Sequence, residues 1–287
     1  MEDMNEAMVS GRTRVAAVVG WPIEHSLSPV IHNAGFASTG VDWTYVALRV
    51  EPETRSAIVS SAASLGLGGL SVTMPYKTDV ARQVDHLDGS CLRLDSVNTV
   101  SFAADGSTTG HTTDGDGLVA SLESKGIHLH GLRVVVLGTG GAGRSVIEAV
   151  TRHEPSEVVL TNRTLEVAES TRTIASTPVR VVEWSTRHDA VRDADLVINC
   201  TNLGMSPSID TPCDETALGP QQIVVDLVYH PLETPLLRAA SARGARVVDG
   251  LGMLLHQAAL QQKIWTGHLP DVSHMRSVAL RALQARG

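Results

Sequence analysis

The chain has 287 residues, a formal charge of −8 and a hydrophobic fraction of 43%. This length and composition allow one large or two ordinary globular domains with a sizeable core. Aliphatic side chains must fill most of that core, because aromatic residues make up only 3% of the chain. The negative charge argues against a nucleic-acid-binding protein, which normally carries a basic face.

The three cysteines are odd in number and far apart, and they match neither a disulfide framework nor a metal site: Cys91, Cys200 and Cys213. The histidines also lack metal-ligand spacing, so we expect no bound metal. Residues 1–11 are acidic rather than apolar, so they are no signal peptide, and we expect residues 1–12 to be disordered. No apolar run approaches the ~18 residues of a membrane span. A cytoplasmic protein without membrane or nucleic-acid partners is the expectation.

Strand-like and helical stretches alternate along the first part of the chain, which is typical of α/β layers. The predicted elements are strands at residues 14–20, 44–50 and 68–73, helices at 29–38 and 52–65, and a hairpin formed by 97–102 and 106–110. Asp105-Gly106 is expected at the turn of that hairpin. Ser28 is predicted to cap the first helix, with Pro29 at its first position.

Beyond Asp114 the alternation becomes regular. The predicted order is a helix at 117–124, a strand at 132–137, a helix at 142–152, strands at 157–161, 179–184, 196–200, 223–227 and 246–248, and helices at 253–265 and 272–286. Such a series is typical of a mononucleotide-binding βαβ domain. The last helices could return to the first domain, which would make that domain discontinuous.

A glycine-rich turn joins the strand at 132–137 to the next helix. Its sequence, Gly138-Thr139-Gly140-Gly141-Ala142-Gly143, fits the spacing G-x-G-G-x-G. Glycines let the backbone approach a pyrophosphate closely, and the helix start offers N–H groups and a positive dipole to it. A purely structural turn is the alternative, but the strand–turn–helix context favours dinucleotide binding.

The end of the following strand indicates which dinucleotide binds. An NAD site usually has Asp or Glu there, about 20 residues after the glycine turn, to hold the ribose 2′-hydroxyl. This chain has Asn162-Arg163-Thr164 instead. Arg163 can pair with a 2′-phosphate through its planar set of donors, so we predict NADP(H); a solvated surface arginine is the alternative.

Lys77 and Asp114 are candidates for proton transfer. Hydride delivery to a ketone leaves negative charge on oxygen, which a nearby ammonium group can stabilise and protonate. A carboxylate within hydrogen-bond reach would orient both the lysine and a substrate hydroxyl. The residues alone leave a simpler alternative open, in which Lys77 is a solvated helix residue and Asp114 a helix N-cap.

Over nearly its whole length the chain resembles the shikimate dehydrogenase family. The matching segments, in chain order, are Gly20-Trp21-Pro22-Ile23, Ser26-Leu27-Ser28-Pro29, Ser71-Val72-Thr73-Met74-Pro75-Tyr76-Lys77, Val97-Asn98-Thr99, Thr113-Asp114-Gly115, the glycine turn, Asn162-Arg163-Thr164, Asp249-Gly250-Leu251-Gly252-Met253-Leu254 and Gln257. Several of them are loose individually, but together they are highly specific.

The resemblance implies reversible, NADPH-dependent reduction of 3-dehydroshikimate to shikimate in aromatic amino-acid biosynthesis. It implies an α/β fold of two domains with a cleft between them. The substrate-binding catalytic domain would be residues 1–115, completed by the C-terminal helices at 252–287, and the Rossmann NADP-binding domain would be residues 116–251.

The resemblance also implies roles for individual residues. Lys77 and Asp114 would be catalytic. The implied substrate-binding residues are Ser26, Ser28, Thr73, Lys77, Asn98, Asp114, Tyr229 and Gln257, with the two serines on the substrate carboxylate. The implied cofactor-binding residues are Gly138, Thr139, Gly140, Gly141, Ala142, Asn162, Arg163, Thr164, Thr201, Leu227 and Gly250. The implied assembly is a monomer or a homodimer.

The chain departs from the usual family sequence near the substrate and the cofactor. Ser71 and Thr112 stand where asparagines are frequent, and a hydroxyl offers fewer hydrogen bonds than an amide. Val167 replaces a second basic residue present in many NADP-using members. The alternatives are a quinate/shikimate dehydrogenase or a paralogue that acts on a related cyclic polyol. A catalytically silent ligand sensor would not need to retain both Lys77 and Asp114.

Overall fold

The computed structural model describes residues 9–285, which divide into two α/β units. The first unit contains the chain up to Thr113 and again from Leu255 onward, and the second unit is Asp114–Leu254. The disorder expected for residues 1–12 falls mostly on residues 1–8, which lie outside the described residues. Residues 10–13 form a turn in which the N–H of Thr13 donates to the carbonyl of Ser10.

A mixed six-stranded sheet forms the centre of the first unit, with the order β2-β1-β3-β5-β6-β4. The strands are β1 (Arg14–Gly20), β2 (Trp43–Arg49), β3 (Gly69–Val72), β4 (His86–Leu87), β5 (Thr99–Phe102) and β6 (Thr108–His111). The first three are parallel, and β5 and β6 form the predicted antiparallel hairpin. The carboxyl ends of β1 and β3 therefore lie at the same edge of the sheet.

The helices of this unit are α1 (Ser28–Thr39), α2 (Ile58–Ser64), α3 (Lys77–Ala81), α4 (Gly89–Leu94), most of α10 (Leu251–Thr266) and α11 (Val272–Gln284), of which α11 packs against α1. Alternate residues of β1 enter two apolar clusters. Ala17 and Val19 pack with residues such as Leu70, whereas Ala16 and Val18 pack with an aromatic group around Tyr45. Because both faces are covered, the strand is a nearly continuous apolar run in the sequence.

The second unit is a fully parallel six-stranded sheet with the order β12-β11-β10-β7-β8-β9. Its strands are β7 (Arg133–Leu137), β8 (Glu157–Asn162), β9 (Arg180–Glu183), β10 (Leu196–Asn199), β11 (Ile223–Asp226) and β12 (Arg246–Val248), and its helices are α5 (Asp114–Glu123), α6 (Gly141–Thr151), α7 (Leu165–Ser170), α8 (Arg187–Asp193) and α9 (Pro235–Ala242). This is the strand order of a Rossmann fold, so the predicted fold class is confirmed.

Two local predictions in the first unit are wrong. Ser28 is not the N-cap of α1, since Leu27 already has helical dihedral angles and occupies that position without a side-chain cap. The single helix predicted at 52–65 is a 3-10 helix, Pro52–Ala57, followed by α2, because Ala57 departs from helical geometry at φ −109°. Both errors concern where a helical segment begins or ends, which the local sequence specifies least well.

Candidate active site

The substrate-binding residues predicted in the first unit cluster around the ends of β1 and β3. Thr73 directly follows β3, and its N–H donates to the carbonyl of Val19 at 3.0 Å. A Cβ atom on Gly20 would lie only 2.5 Å from Cγ2 of Thr73, so the glycine permits this close approach. The two strand ends are thereby held side by side, as expected for parallel neighbours.

Ser26 and Ser28 lie in the connection from β1 to α1, and the N–H of Ser28 donates to the hydroxyl oxygen of Ser26 at 3.1 Å. Ser26, and not Ser28 as predicted, therefore accepts a side-chain hydrogen bond at the start of α1. A serine hydroxyl can also donate its hydrogen to an anion. Both side chains thus have the chemistry that a carboxylate of a substrate requires.

Lys77 is the first residue of α3 and is half-buried. Its carbonyl accepts a hydrogen bond from the N–H of Val97 at 3.0 Å, one residue before Asn98. The preceding Tyr76 is fully buried, and its hydroxyl donates to the carbonyl of Val50 at 2.7 Å. The backbone of the lysine is thus anchored on both sides, which restricts where its side chain can reach.

A buried hydrogen-bond network links Asn98 and Gln257, two of the predicted substrate-binding residues. Oδ1 of Asn98 accepts from the Thr99 hydroxyl at 2.7 Å and from the Thr113 N–H at 2.9 Å. Nδ2 of Asn98 lies 3.0 Å from Oγ1 of Thr113, which is in turn 3.5 Å from Oε1 of Gln257. Thr99 and Thr113 were not predicted as site residues, since only the fold brings them to these amides.

Ser71 belongs to a second buried network, in which its hydroxyl lies between two polar groups. It accepts from the Tyr45 hydroxyl at 2.6 Å and donates to Oε1 of Gln261 at 2.7 Å. Nε2 of Gln261 then donates to the carbonyl of Asn98 at 3.3 Å. The serine that replaces a frequent family asparagine is therefore satisfied by protein groups and supports the backbone of Asn98.

Asp114 begins α5 and belongs to the second unit, whereas Lys77 belongs to the first. The next residue, Gly115, packs against α6 so closely that a Cβ atom there would lie 2.1 Å from the carbonyl oxygen of Ser145. The glycine after the aspartate is thus explained by helix packing. Asp114 is half-buried and carries a side chain directly at this packed helix start.

The glycine turn lies between β7 and α6, at the carboxyl edge of the parallel sheet. Gly138 has φ +93°, and a Cβ atom on Gly143 would lie 2.3 Å from the carbonyl oxygen of Gly138. Gly140 and Gly141 are exposed, and no atom lies within 4 Å of a Cβ built on either. The turn therefore leaves a backbone-lined space in front of a helix N-terminus, which suits a pyrophosphate.

Two buried hydroxyl groups support this assignment. Oγ1 of Thr139 and Oγ1 of Thr161 have no hydrogen-bond partner among residues 9–285. The Thr139 N–H reaches Oδ1 of Asn162 at 3.4 Å, and Nδ2 of Asn162 donates to the carbonyl of Thr164 at 3.1 Å. Buried polar groups normally have partners, so unsatisfied groups beside the turn fit a site built for a polar ligand.

Arg163 follows β8 and is exposed, and no carboxylate of the described chain forms an ion pair with it. Other arginines of this unit do pair with carboxylates; Arg172 and Arg180, for example, pair with glutamates. Val167, on the following helix α7, is 41% exposed and adds no charge. Arg163 is therefore a cation that an anionic ligand can neutralise at the end of β8.

A third polar network, which the sequence did not reveal, supports Thr201 and Leu227, two of the predicted cofactor-binding residues. Oδ1 of Asn199 accepts from the Thr201 N–H and hydroxyl, at 3.0 and 2.7 Å. Nδ2 of Asn199 donates to the buried Asp226 at 2.9 Å, and the Leu227 N–H donates to the carbonyl of Asn199. The ends of β10 and β11 are thus cross-linked directly before the predicted cofactor-binding residues.

The other predicted cofactor and substrate residues of this unit follow β11 and β12. Tyr229 is half-buried, three residues after the end of β11. Gly250 lies just before α10, and a Cβ atom on it would be 2.3 Å from the carbonyl oxygen of Leu227.

Within residues 9–285 no cluster of three or more potential metal ligands occurs. No helix of that part is long and apolar enough to span a membrane.

A Rossmann unit with such a glycine turn, in one chain with a unit that carries a lysine and buried amide and hydroxyl networks, has the organisation of a dinucleotide-dependent dehydrogenase. Three family models match the chain: the shikimate dehydrogenase substrate binding domain over residues 18–100, shikimate / quinate 5-dehydrogenase over 120–226, and the shikimate 5'-dehydrogenase C-terminal domain over 250–280. The chain belongs to the shikimate dehydrogenase family.

Individual relatives agree with this assignment. The shikimate dehydrogenase (NADP(+)) of Paramagnetospirillum magneticum is 39% identical over 92% of this chain and 97% of its own length. The enzyme of Thermus thermophilus, solved in complex with NADP(H) and shikimate, is 34% identical with a TM-score of 0.85, covering 94% of this chain and 99% of its own. The quinate dehydrogenase of Corynebacterium glutamicum, in complex with NAD, is 30% identical with a TM-score of 0.87 at the same coverage.

Proposed function

We infer that this chain catalyses the reversible, NADP-dependent interconversion of shikimate and 3-dehydroshikimate. The observation that carries the inference is the buried network of Asn98, Thr113 and Gln257, which holds amide groups ready for a polyhydroxylated ligand. Relatives named for this activity, at 35–39% identity over most of the chain, supply the substrate. The role in aromatic amino-acid biosynthesis follows from that reaction.

In this proposal Lys77 provides the proton for the oxygen that is reduced and accepts it in the reverse direction. Asp114 orients the ammonium group and a substrate hydroxyl. Ser26 and Ser28 donate to the substrate carboxylate beside the start of α1, where the helix dipole favours an anion. Thr73, Asn98 and Gln257 bind the ring hydroxyls of the substrate, and Tyr229 lies near its carboxylate.

NADP(H), when bound, supplies or accepts the hydride. The residues present fit this group, because the glycine turn leaves room beside a helix N-terminus and Arg163 offers a cation for the 2′-phosphate. Asn162 and Thr164 flank that cation. Thr201 and Leu227, held by the Asn199–Asp226 network, would contact the nicotinamide side, together with Gly250, which packs against the carbonyl of Leu227.

Quinate oxidation is the second candidate, because the quinate dehydrogenase of Corynebacterium glutamicum has a closely similar structure. That structure contains NAD, for which an acidic residue after the second Rossmann strand is typical. Residues 162–164 of this chain contain none. The NADP-dependent reaction with shikimate is therefore favoured.

Steady-state assays with shikimate and quinate, each with NADP⁺ and NAD⁺, test the proposal through the absorbance of the reduced cofactor. We expect the highest kcat/KM with shikimate and NADP⁺. Turnover of quinate without turnover of shikimate would favour the second candidate, and no turnover of either would favour a ligand sensor.

We also propose a cytoplasmic protein that is a monomer or a homodimer, on the basis of its resemblance to the family. Sedimentation or size-exclusion chromatography with light scattering tests the assembly. A stable trimer or tetramer would contradict it.

A further inference from the structure

A serine, a histidine and an aspartate form a hydrogen-bonded chain in the first unit, and none of them is a predicted site residue. Ser101 lies on β5, His111 ends β6, and Asp88 caps the start of α4. Oγ of Ser101 lies 3.0 Å from Nε2 of His111, and Nδ1 of His111 lies 3.4 Å from Oδ2 of Asp88. The proposed dehydrogenase reaction uses none of these three side chains.

Paired strands bring the three residues together. Ser101 and His111 are diagonal neighbours in the antiparallel register of β5 and β6, so their side chains lie on the same face of the sheet. β4 pairs in parallel with β6, and the N–H of Asp88 donates to the carbonyl of Gly110 at 3.0 Å, directly beside His111. The order serine, histidine, carboxylate is therefore built into the hydrogen bonding of the sheet.

The chemistry of the groups sets the direction of both side-chain contacts. An ionised aspartate can only accept, so a neutral His111 carries its proton on Nδ1, toward Asp88. Nε2 is then an acceptor and receives the hydroxyl hydrogen of Ser101. The other carboxylate oxygen of Asp88 accepts from the N–H of Cys91 at 2.8 Å, which holds the carboxylate in place. A serine that donates to an imidazole oriented by a carboxylate has the arrangement of an activated nucleophile.

We propose that Ser101 is an acylation site, with His111 as its general base and Asp88 as the residue that positions the imidazole. The ligand class is an activated acyl donor, such as a phenyl ester or a thioester. The oxygen of Ser101 attacks the acyl carbon and forms a new C–O bond, while Nε2 of His111 takes the hydroxyl proton. The bond to the leaving group then breaks, and His111 gives the proton to the departing phenolate or thiolate.

The surroundings of Ser101 favour a single acylation over repeated turnover. Ser101 is half-buried, and the side chains of His111 and Asp88 are 21% and 34% exposed, so a small acyl donor can reach them. Ser101 is paired with both β3 and β6, so its own N–H belongs to the sheet and forms no oxyanion hole. One missing oxyanion donor lowers the rate by about 10²–10³-fold. The acyl-serine is also an unactivated ester, so it should accumulate.

Incubation of the full chain with p-nitrophenyl acetate tests the proposal. Release of p-nitrophenolate gives the total rate, and tandem mass spectrometry of the digested chain locates and times each acetyl group. We expect one acetyl group on Ser101, added about 10²-fold faster than on Ser107, because general base catalysis contributes at least this much. Ser107 is a half-buried serine of the same hairpin whose hydroxyl donates to Asp105 and contacts no histidine. This comparison needs no substitution.

Substitutions separate the roles of the three residues. We expect His111→Gln to slow acetylation of Ser101 by about 10²-fold, since the base is lost. Asp88→Asn should slow it by about 10-fold or more at an unchanged melting temperature, because asparagine still caps α4 but no longer fixes the proton on Nδ1. Ser101→Ala should remove the label, and Ser107→Ala is the matched control that keeps it.

The outcome does not depend on which substrate the chain oxidises. Equal acetylation of Ser101 and Ser107 in the unmodified chain would overturn the inference. An unchanged rate at Ser101 in folded His111→Gln would also overturn it, because the imidazole would then not act as the base.

Discussion

Single residues in this chain combine predicted chemistry with contacts that only the fold reveals. Asn98 is part of a recognisable segment, Val97-Asn98-Thr99, but its amide is oriented by Thr99 and Thr113. The sequence shows which residue types are present, whereas the direction of a hydrogen bond depends on a neighbour 15 positions away. Residue identity was therefore predictable here, and residue orientation was not.

Lys77 is proposed as the proton donor, so its removal should affect rate more than binding. We expect Lys77→Ala to lower kcat by about 10²–10⁴-fold, with a smaller rise in KM for shikimate, because general acid catalysis contributes in this range. Steady-state kinetics with NADP⁺ measure both constants. Lys263→Ala, an exposed lysine of α10, is the control. A change in KM with kcat preserved would make Lys77 a binding residue.

Arg163 is proposed to hold the 2′-phosphate, which NAD lacks. We expect Arg163→Ala to raise the KM for NADP⁺ by about 10-fold or more and to leave the KM for NAD⁺ nearly unchanged, since charge-assisted hydrogen bonds to phosphate are strong. The measurement is the ratio of kcat/KM for the two cofactors. Arg192→Ala, an exposed arginine of the same unit, is the control. Equal losses for both cofactors would exclude a 2′-phosphate contact.

At the scale of elements, a continuous apolar run was predictable and an element without such a pattern was not. Residues 14–20 were predicted as a strand with the observed bounds, because they form a nearly continuous apolar run. The two-residue strand His86–Leu87 has no such pattern and exists only because β6 pairs with it. The strand-end network of Asn199 and Asp226 was also missed, since it joins residues 27 positions apart.

Asp226, at the end of β11, makes the stability of the folded chain depend on pH. Burial raises its pKa to about 6, although hydrogen bonds from Thr234, Val228 and Asn199 oppose the rise. Between the ordinary value of 3.8 and 6, the folded chain binds a proton that the unfolded chain has lost. Asp226 therefore contributes most to the free energy of unfolding below pH 3.8, and this contribution is lost as the pH rises through about 6.

Asp226→Asn removes this titration and nearly preserves the shape. We expect the free energy of unfolding of the unmodified chain, relative to the variant, to fall by about 2 kcal/mol between about pH 4 and about pH 7. Urea denaturation at each pH measures the difference. A constant difference across this range would show that Asp226 ionises normally in the folded chain.

At the scale of the whole molecule, the two units have different buried titratable groups. His32 lies in the first unit, stacked on Tyr45 with ring centroids 4.0 Å apart, and Nε2 of Gln262 lies 3.2 Å from its Nδ1. Burial lowers the pKa of His32 to about 3. The ring is thus neutral in the folded chain, and its Nδ1 accepts from the amide nitrogen of Gln262, which can only donate. The pattern of apolar runs predicted this core but not the neutral histidine within it.

The sign for His32 is opposite to that for Asp226. Between pH 6.5 and about pH 3, His32 is protonated in the unfolded chain but stays neutral in the folded chain. The free energy of unfolding therefore falls as the pH drops through this window, by up to about 1.4 kcal/mol per pH unit. Acid should therefore weaken the first unit through His32 while Asp226 has the reverse effect on the second. Three of the four tryptophans, Trp21, Trp43 and Trp265, lie in the first unit.

His32→Asn retains an acceptor near the Nδ1 position and removes the titration. We expect the variant to be less stable than the unmodified chain at about pH 7, because a cavity and a lost ring contact remain. The gap should narrow steadily as the pH falls from 6.5 toward about 4, since only the unmodified chain loses stability through His32. Urea denaturation followed by tryptophan fluorescence measures it, with His268→Asn, an exposed histidine of the same unit, as the control. A gap independent of pH would mean that His32 can be protonated without cost in the folded chain.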